Sequence, residues 1–332
     1  MKYDVVIVGA GPAGLNCAYY LEKSKSVLVL EKNKTIGPKI CGGGLTPNCY
    51  NYLKPPKHII AKEFSKIKVH SIFQNRILDY KKLLMRTCDR ETLANYQLKK
   101  LKNTTIKTNT KVTKITKDYI LANNQKIYYK TLIGADGSNS IVRKYLKLKN
   151  NLTTTLQYKL PKDTFKDYEM FFNPFLIGPG YFWIIPHKDF VSVGCGTTKK
   201  YSKNILKNFH KWLDKQNIDY STSKLESFPI NCEYQNHEFG NIFLVGDAAG
   251  LASKLTGEGI YQALASGEDV AKKILNPKYN YKYIPKILKT NKRHKKGVKL
   301  LNHSKLLAFI DYEMFLFSLR SQKFINELIK SL

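Results

Sequence analysis

The chain has 332 residues, 43% of them hydrophobic, which is enough for two joined domains with a real core. Lys and Arg number 56 against 25 Asp and Glu, a net charge of +31 that suits anionic partners; no recognition motif accompanies it, so no nucleic-acid partner is expected. The six cysteines form no Cys-x-x-Cys pair, so neither a zinc site nor a disulfide framework is indicated, no metal is expected, and a reduced, cytoplasmic setting fits.

The chain opens on an apolar strand, DVVIV, and no signal peptide is expected before it. Then come Gly9-x-Gly11-x-x-Gly14, a helix, and a second apolar strand that ends at Glu31. Gly9 permits a tight turn. Gly11 lets the backbone approach a pyrophosphate, Gly14 lets the helix lie close on the strand, and Pro12 and Ala13 begin a helix whose N-terminus faces the phosphates. Glu31, 22 residues after Gly9, stands where a carboxylate accepts from ribose hydroxyls, with Lys32 beside it. Together these parts predict a dinucleotide site; a plain strand-to-helix turn would not need them all.

Next, KICGGGLTP (39–47) places three glycines after Cys41, a backbone able to pass close to a planar ligand. Cys41 reads either as a residue facing that ligand or as a small buried side chain. TLIGADGSNSIVRKYL (131–146) reads as a strand ending near Asp136, then a helix. IKVHSIFQNRILDY (67–80), LTTTLQYKL (152–160), YEMFFN (168–173), GYFWIIP (180–186) and FVSVGCG (190–196) alternate β-branched and aromatic residues and predict an antiparallel sheet. SKNILKNFHKWLDKQ (202–216) has amphipathic spacing, with His210 and Trp212 as surface and packing residues. IFLVGDAAG (242–250) is an apolar strand ending at Gly246-Asp247, where a carboxylate beside a helix N-terminus can hold the ribityl and phosphate part of a flavin.

With these residues in view, the chain resembles the FAD-dependent oxidoreductases typified by aromatic-ring hydroxylases, which carry a glycine triplet, a central Asp-Gly motif and a C-terminal Gly-Asp motif in this order. The MRTCDRETLANYQ segment (85–97) resembles that family's helix start, which carries an arginine, a Phe-Asp pair and a leucine, with Cys88 in place of phenylalanine, and implies that Arg86 reaches the FAD. Val112 matches the position that packs by the adenine. Within the superfamily, Cys41-Gly42-Gly43-Gly44-Leu45 resembles the Cys-Gly-Gly-Gly-Leu signature of geranylgeranyl reductases. Tyr181-x-Trp183-x-Ile185-Pro186 resembles the same group's Tyr-x-Trp-x-Phe-Pro motif, and Thr256-Gly257-Glu258-Gly259-Ile260 its flavin-edge turn. Lys254 stands where relatives have proline.

The resemblance implies an α/β fold: a Rossmann-like, p-hydroxybenzoate hydroxylase-like FAD-binding domain formed by 1–50, 80–155 and 238–275, an antiparallel-sheet substrate domain from 60–75 and 156–237, and a helical C-terminal segment, 276–332. It implies an FAD-dependent reductase of carbon–carbon double bonds in geranylgeranyl chains on a lipid or diphosphate. Tyr181, Phe182 and Trp183, with Phe171 and Phe172, would wall an apolar cavity, and Cys41, Tyr181 and Trp183 are the catalytic candidates. His187 is the one histidine near that cavity. NAD(P)H or a ferredoxin-type protein would supply electrons, and a basic surface would suit an acidic donor. The alternative is an FAD-dependent monooxygenase or halogenase, since halogenases carry a Trp-x-Trp-x-Ile-Pro motif that residues 181–186 approach.

Residues 276–332 hold 13 Lys and Arg against 3 Asp and Glu. A basic stretch (289–299) precedes an apolar one (306–319). The pair reads either as peripheral contact with an anionic membrane on the inner face of the cell or as a closing helix with lysines on its wet side.

Overall fold

A computed structural model describes residues 1–331. The chain forms two units: Met1–Lys39, Arg90–Leu152 and Ile230–Asn291 make the first, and Ile40–Asp89, Thr153–Pro229 and Lys292–Leu332 the second.

The first unit is built on a mostly parallel sheet in the order Glu238–Phe239, Ile242–Leu244, Gln125–Gly134, Lys2–Val8, Val27–Leu30, Thr105–Lys107. A short antiparallel extension, Tyr119–Ala122 and Val112–Ile115, is added to it. The central strands are unbroken apolar runs because they are covered on both faces. Their register aligns Val8 with Leu30 and Gly134, and Gly134 with Leu244, so four strands end together. The Pro12–Leu21 helix lies against the Ile260–Leu275 helix, where Gly267 has room for no side chain: a Cβ there would stand 2.5 Å from Ala13 O.

The second unit centres on a sheet containing Glu226–Ser227, Leu152–Pro161, Phe190–Thr197, Tyr181–Pro186, Glu169–Phe171, Lys66–His70 and Asn75–Asp79 in that order. One face packs Leu156, Tyr158, Phe182, Val191 and Val193 against Phe209, Trp212 and Leu213 of the Ile205–Lys215 helix. The other packs Ile67, Val69, Trp183 and Ile185 against Leu316, Ile325 and Ile329 of the last two helices, Lys305–Ser318 and Gln322–Ser331, and against Leu319 between them. His210 is tied into the first of these layers through Tyr158 Oη, 2.8 Å from its Nε2.

Several expectations are corrected. Residues 67–80 form a hairpin, not one strand, turning through Ser71–Gln74. The sheet is not wholly antiparallel, because Glu169–Phe171 runs parallel to Lys66–His70. Residues 40–50 and 80–89 belong to the second unit, because Gly44–Leu45, Met85–Thr87 and Lys62–Phe64 pair in a small sheet of their own. Residues 230–237 and 276–291 belong to the first unit, and the C-terminal helices from Lys292 onward pack into the second unit's core.

Candidate functional site

The four aligned strand ends bring the predicted nucleotide residues to one edge of the first unit's sheet, as ligand sites in such sheets require. Gly9 has φ +101°, and a Cβ there would lie 2.5 Å from Ala135 O; a Cβ at Gly14 would strike Gly9 O. Gly11 differs: a Cβ on it would meet only Ala135 O, 4.0 Å away. Packing does not demand glycine at that position, and the space beside it is a cradle open to a ligand. The adjoining helix starts at Pro12 with no side-chain cap among the described residues, so its first N–H groups are available to an anion. Glu31 is held at the same turn, where Oε2 accepts from Ala10 N–H (3.0 Å) and Oε1 from Asn33 N–H (2.9 Å). Lys32 is exposed and Val112 buried. These groups fit a dinucleotide.

Asp247 anchors the other part of this edge. Its Oδ2 accepts from Lys39 Nζ (2.9 Å) and from Ser138 Oγ (3.2 Å). Ser138 Oγ accepts from Asn231 N–H (3.1 Å), and Asn231 Nδ2 donates to Asp247 O (3.0 Å). Gly246 takes φ +55° between Ala13 and Ala263. The Thr256–Gly259 turn abuts the same carboxylate: a Cβ on Gly259 would lie 3.1 Å from Asp247 Oδ1, and Gly257 sits at φ +67°. Ile260, which follows, is buried. Arg143 is fully buried and donates to Ala248 O (3.1 Å) and Glu233 O (2.6 Å), holding the short Gly246–Ala249 helix by its carbonyl end. Asp136 is turned to the neighbouring helix, where Oδ2 accepts from Ile141 N–H at 2.6 Å, and burial raises its pKa against those hydrogen bonds.

In the second unit the glycine run is pinned from three sides. His187 Nε2 lies 2.9 Å from Gly42 O, Cys88 N–H donates to Gly43 O (3.0 Å), and Cys41 Sγ accepts from Gly43 N–H (3.4 Å). Gly43 has φ +69°, and a Cβ there would lie 2.5 Å from His187 Cε1. A Cβ on Gly42 would lie 3.2 Å from Ile185 Cδ1. The Cys41–Gly44 run therefore lies against the strand that carries Tyr181, Trp183 and Ile185. Tyr181 and Trp183 have ring centroids 6.0 Å apart on that strand's Ile185 side.

The predicted aromatic wall divides in two. Tyr181, Trp183 and Phe172 share one face. Phe182 is on the opposite face, stacked on Trp212 at 4.5 Å, and Phe171 meets Trp212 there at 5.1 Å. Alternation along a strand requires this: neighbours 181, 182 and 183 cannot all face one side. Arg86 is engaged within the second unit, bonded to Glu63 Oε1 (2.8 Å) and lying 3.1 Å from the Tyr50 ring centroid. The arginine of this segment that belongs to the first unit is Arg90, buried at the start of the Arg90–Leu98 helix. Sequence reasoning missed Lys39, Ser138, Asn231 and Arg143; Lys39 and Ser138 lie inside segments already singled out, whereas Asn231 carries no spacing signal.

Residues 3–166 match the family described as pyridine nucleotide-disulphide oxidoreductase. The chain is 34% identical over 292 residues to an uncharacterized protein of Methanosarcina barkeri, spanning 82% of this chain and 74% of that one. It is 27% identical to the digeranylgeranylglycerophospholipid reductase of Methanococcus vannielii, over 93% of this chain and 90% of that one. Its fold is shared with a geranylgeranyl bacteriochlorophyll reductase-like protein of Thermoplasma acidophilum, with a TM-score of 0.73, 21% identity, and coverage of 99% of this chain and 91% of that one. By these likenesses the chain belongs to the FAD-dependent oxidoreductases, in one family with the Methanosarcina barkeri protein, and is similar to the geranylgeranyl reductases.

Proposed function

We propose that the protein hydrogenates carbon–carbon double bonds of geranylgeranyl chains carried on a lipid or a diphosphate, with electrons drawn from NAD(P)H or a ferredoxin-type protein. The observation that carries this reading is the close approach of Gly42, in the Cys41–Gly44 run, to Ile185, in the aromatic strand, where a Cβ added to Gly42 would lie 3.2 Å from Ile185 Cδ1. The two segments that resemble those of geranylgeranyl reductases thus lie side by side, which supports this reading. The relative in Methanococcus vannielii is named for such a lipid.

FAD, when bound, supplies the two electrons and hydrogen for the reduction. Glu31 would take its ribose and Asp247, steadied by Lys39 and Ser138, its ribityl chain. Cys41, Gly42, Tyr181 and Trp183 would meet the prenyl chain. An unactivated alkene has to be reduced in a dry setting, where a carbocation-like transition state meets no water. Trp183 serves this by turning its polar atom inward: Nε1–H donates to Ser192 Oγ (2.9 Å), which donates to Gln157 Oε1 (3.0 Å). The ring thus offers an apolar surface with its donor already satisfied.

Mass spectrometry tests the reading. The yellow protein is incubated without air, with reductant and a geranylgeranylated lipid. Product heavier by pairs of hydrogens is expected. No change without air, but a gain of oxygen or halogen once air and halide are admitted, would move the protein to the monooxygenase or halogenase branch.

A further inference from the structure

We infer that the outward face of the Lys305–Ser318 helix, together with the Ser71–Gln74 turn, docks on an anionic lipid bilayer. This helix is apolar on both sides. Inward, Ala308, Tyr312 and Leu316 are buried. Outward, Leu306, Leu307, Ile310, Met314 and Phe317 fall within an arc of about 100° at 3.6 residues per turn, and Met314 is 63% and Phe317 58% exposed. A helix that only closes a core has a polar wet face; this one has a continuous apolar band flanked by Asp311 and Glu313.

The turn is fixed beside that band. Glu313 accepts from Phe73 N–H (3.2 Å) and from Gln74 Nε2 (2.9 Å). Phe73, 78% exposed, meets Phe309 edge-on at 5.5 Å. A fixed aromatic ring that stands in water at a turn tip contributes little to the fold and extends the apolar band.

Charge selects the occupant. Residues 292–323 carry eight Lys and Arg against two acids. Lys305 Nζ donates to Phe175 O (3.0 Å) at one end of the helix, and the Arg320 guanidinium lies 4.6 Å over the Phe317 ring at the other. Cations at the two ends of an apolar band match anionic headgroups above acyl chains. A second copy of the chain would set like charges against each other, with +31 on each molecule. Among the described residues no helix is long and apolar enough to cross a membrane, so the contact is peripheral. The choice of a lipid surface rests on the prenyl-lipid reading above, because a lipid-borne substrate must be met at the bilayer.

The test is co-flotation of the full-length, FAD-loaded protein with phosphatidylcholine vesicles, with and without phosphatidylglycerol. Binding to the anionic vesicles is expected. A Phe73→Gln, Met314→Gln, Phe317→Gln variant is expected to lose at least about tenfold in that binding while keeping FAD and its turnover of a short soluble prenyl substrate. Wild type that ignores anionic vesicles, a variant that binds them equally, or a wild-type dimer that the variant abolishes would each overturn the docking surface. Absent turnover of the soluble substrate with vesicle binding intact would instead sink the reductase reading and leave the docking surface standing.

Discussion

Two histidines of the second unit carry opposite pH signatures. Burial holds the His187 imidazole below the ordinary histidine range, against the opposing pull of Gly42 O, to which its neutral ring donates. Its Nδ1 is buried with no hydrogen-bond partner among the described residues, so a proton placed there would be unsolvated. In acid, below about pH 6.5, the unfolded chain binds a proton that the folded one refuses, so this residue makes stability fall as pH falls. For His70, burial works against the charged form, but contacts with Glu169 and Asn75 outweigh it and the pKa is raised. Its contribution is full below the unfolded pKa and is lost as pH rises through the raised folded one. His187→Gln should therefore cost about 1–3 kcal/mol at neutral pH and less in acid, and His70→Gln should cost most in acid. Urea unfolding across pH checks both, and the same pH trend in the two variants would contradict the assignment. At Cys41, Cys41→Ala should retain FAD but change turnover or the pattern of saturated products; unchanged turnover together with unchanged products would remove the thiol from the site. The glycine triplet and Glu31 were legible in the sequence because each role is tied to a fixed spacing inside one strand–helix–strand unit. The partners of Asp247 were not, because Lys39 and Ser138 lie 208 and 109 residues away from it and nothing local marks Asn231.

At the scale of elements, the sequence shows which segments are strands better than it shows where each side points. The Tyr181–Pro186 strand was recognised, yet Phe182 and Phe171 belong with Trp212 and not with Trp183, as the two-residue period dictates. The 67–80 hairpin was hidden because its turn, Ser71-Ile72-Phe73-Gln74, contains neither Gly nor Pro and carries two apolar residues, which prolong the strand pattern. Those same residues are exposed and form part of the docking face proposed above. The Trp183 side of the sheet depends on an element partner: a Cβ on Gly194, in the neighbouring Phe190–Thr197 strand, would strike the Trp183 indole. Gly194→Ala should tilt the indole, break its bond to Ser192 and cost about 1–3 kcal/mol by overpacking. Near-ultraviolet circular dichroism and thermal unfolding report it, and an unchanged spectrum with unchanged stability would show that the ring position is not fixed by this glycine.

For the whole molecule, the charge of +31 bears on the electron source. With an acidic ferredoxin-type donor, steering makes association fast at low salt and steeply slower as ionic strength rises. Reduction by such a protein should therefore fall several-fold across a moderate salt range, whereas reduction by a small chemical reductant should change little. Equal salt dependence for both would remove the charge from that role. The central claim, that the reduced enzyme passes its electrons to a prenyl double bond, is tested most directly by anaerobic single-turnover spectroscopy. Reduced, bleached protein is mixed with geranylgeranyl lipid in the absence of dioxygen. The account predicts return of the yellow colour, with one pair of hydrogens gained by the lipid for each flavin reoxidised. Protein that stays bleached with lipid and regains colour only when air is admitted would contradict it.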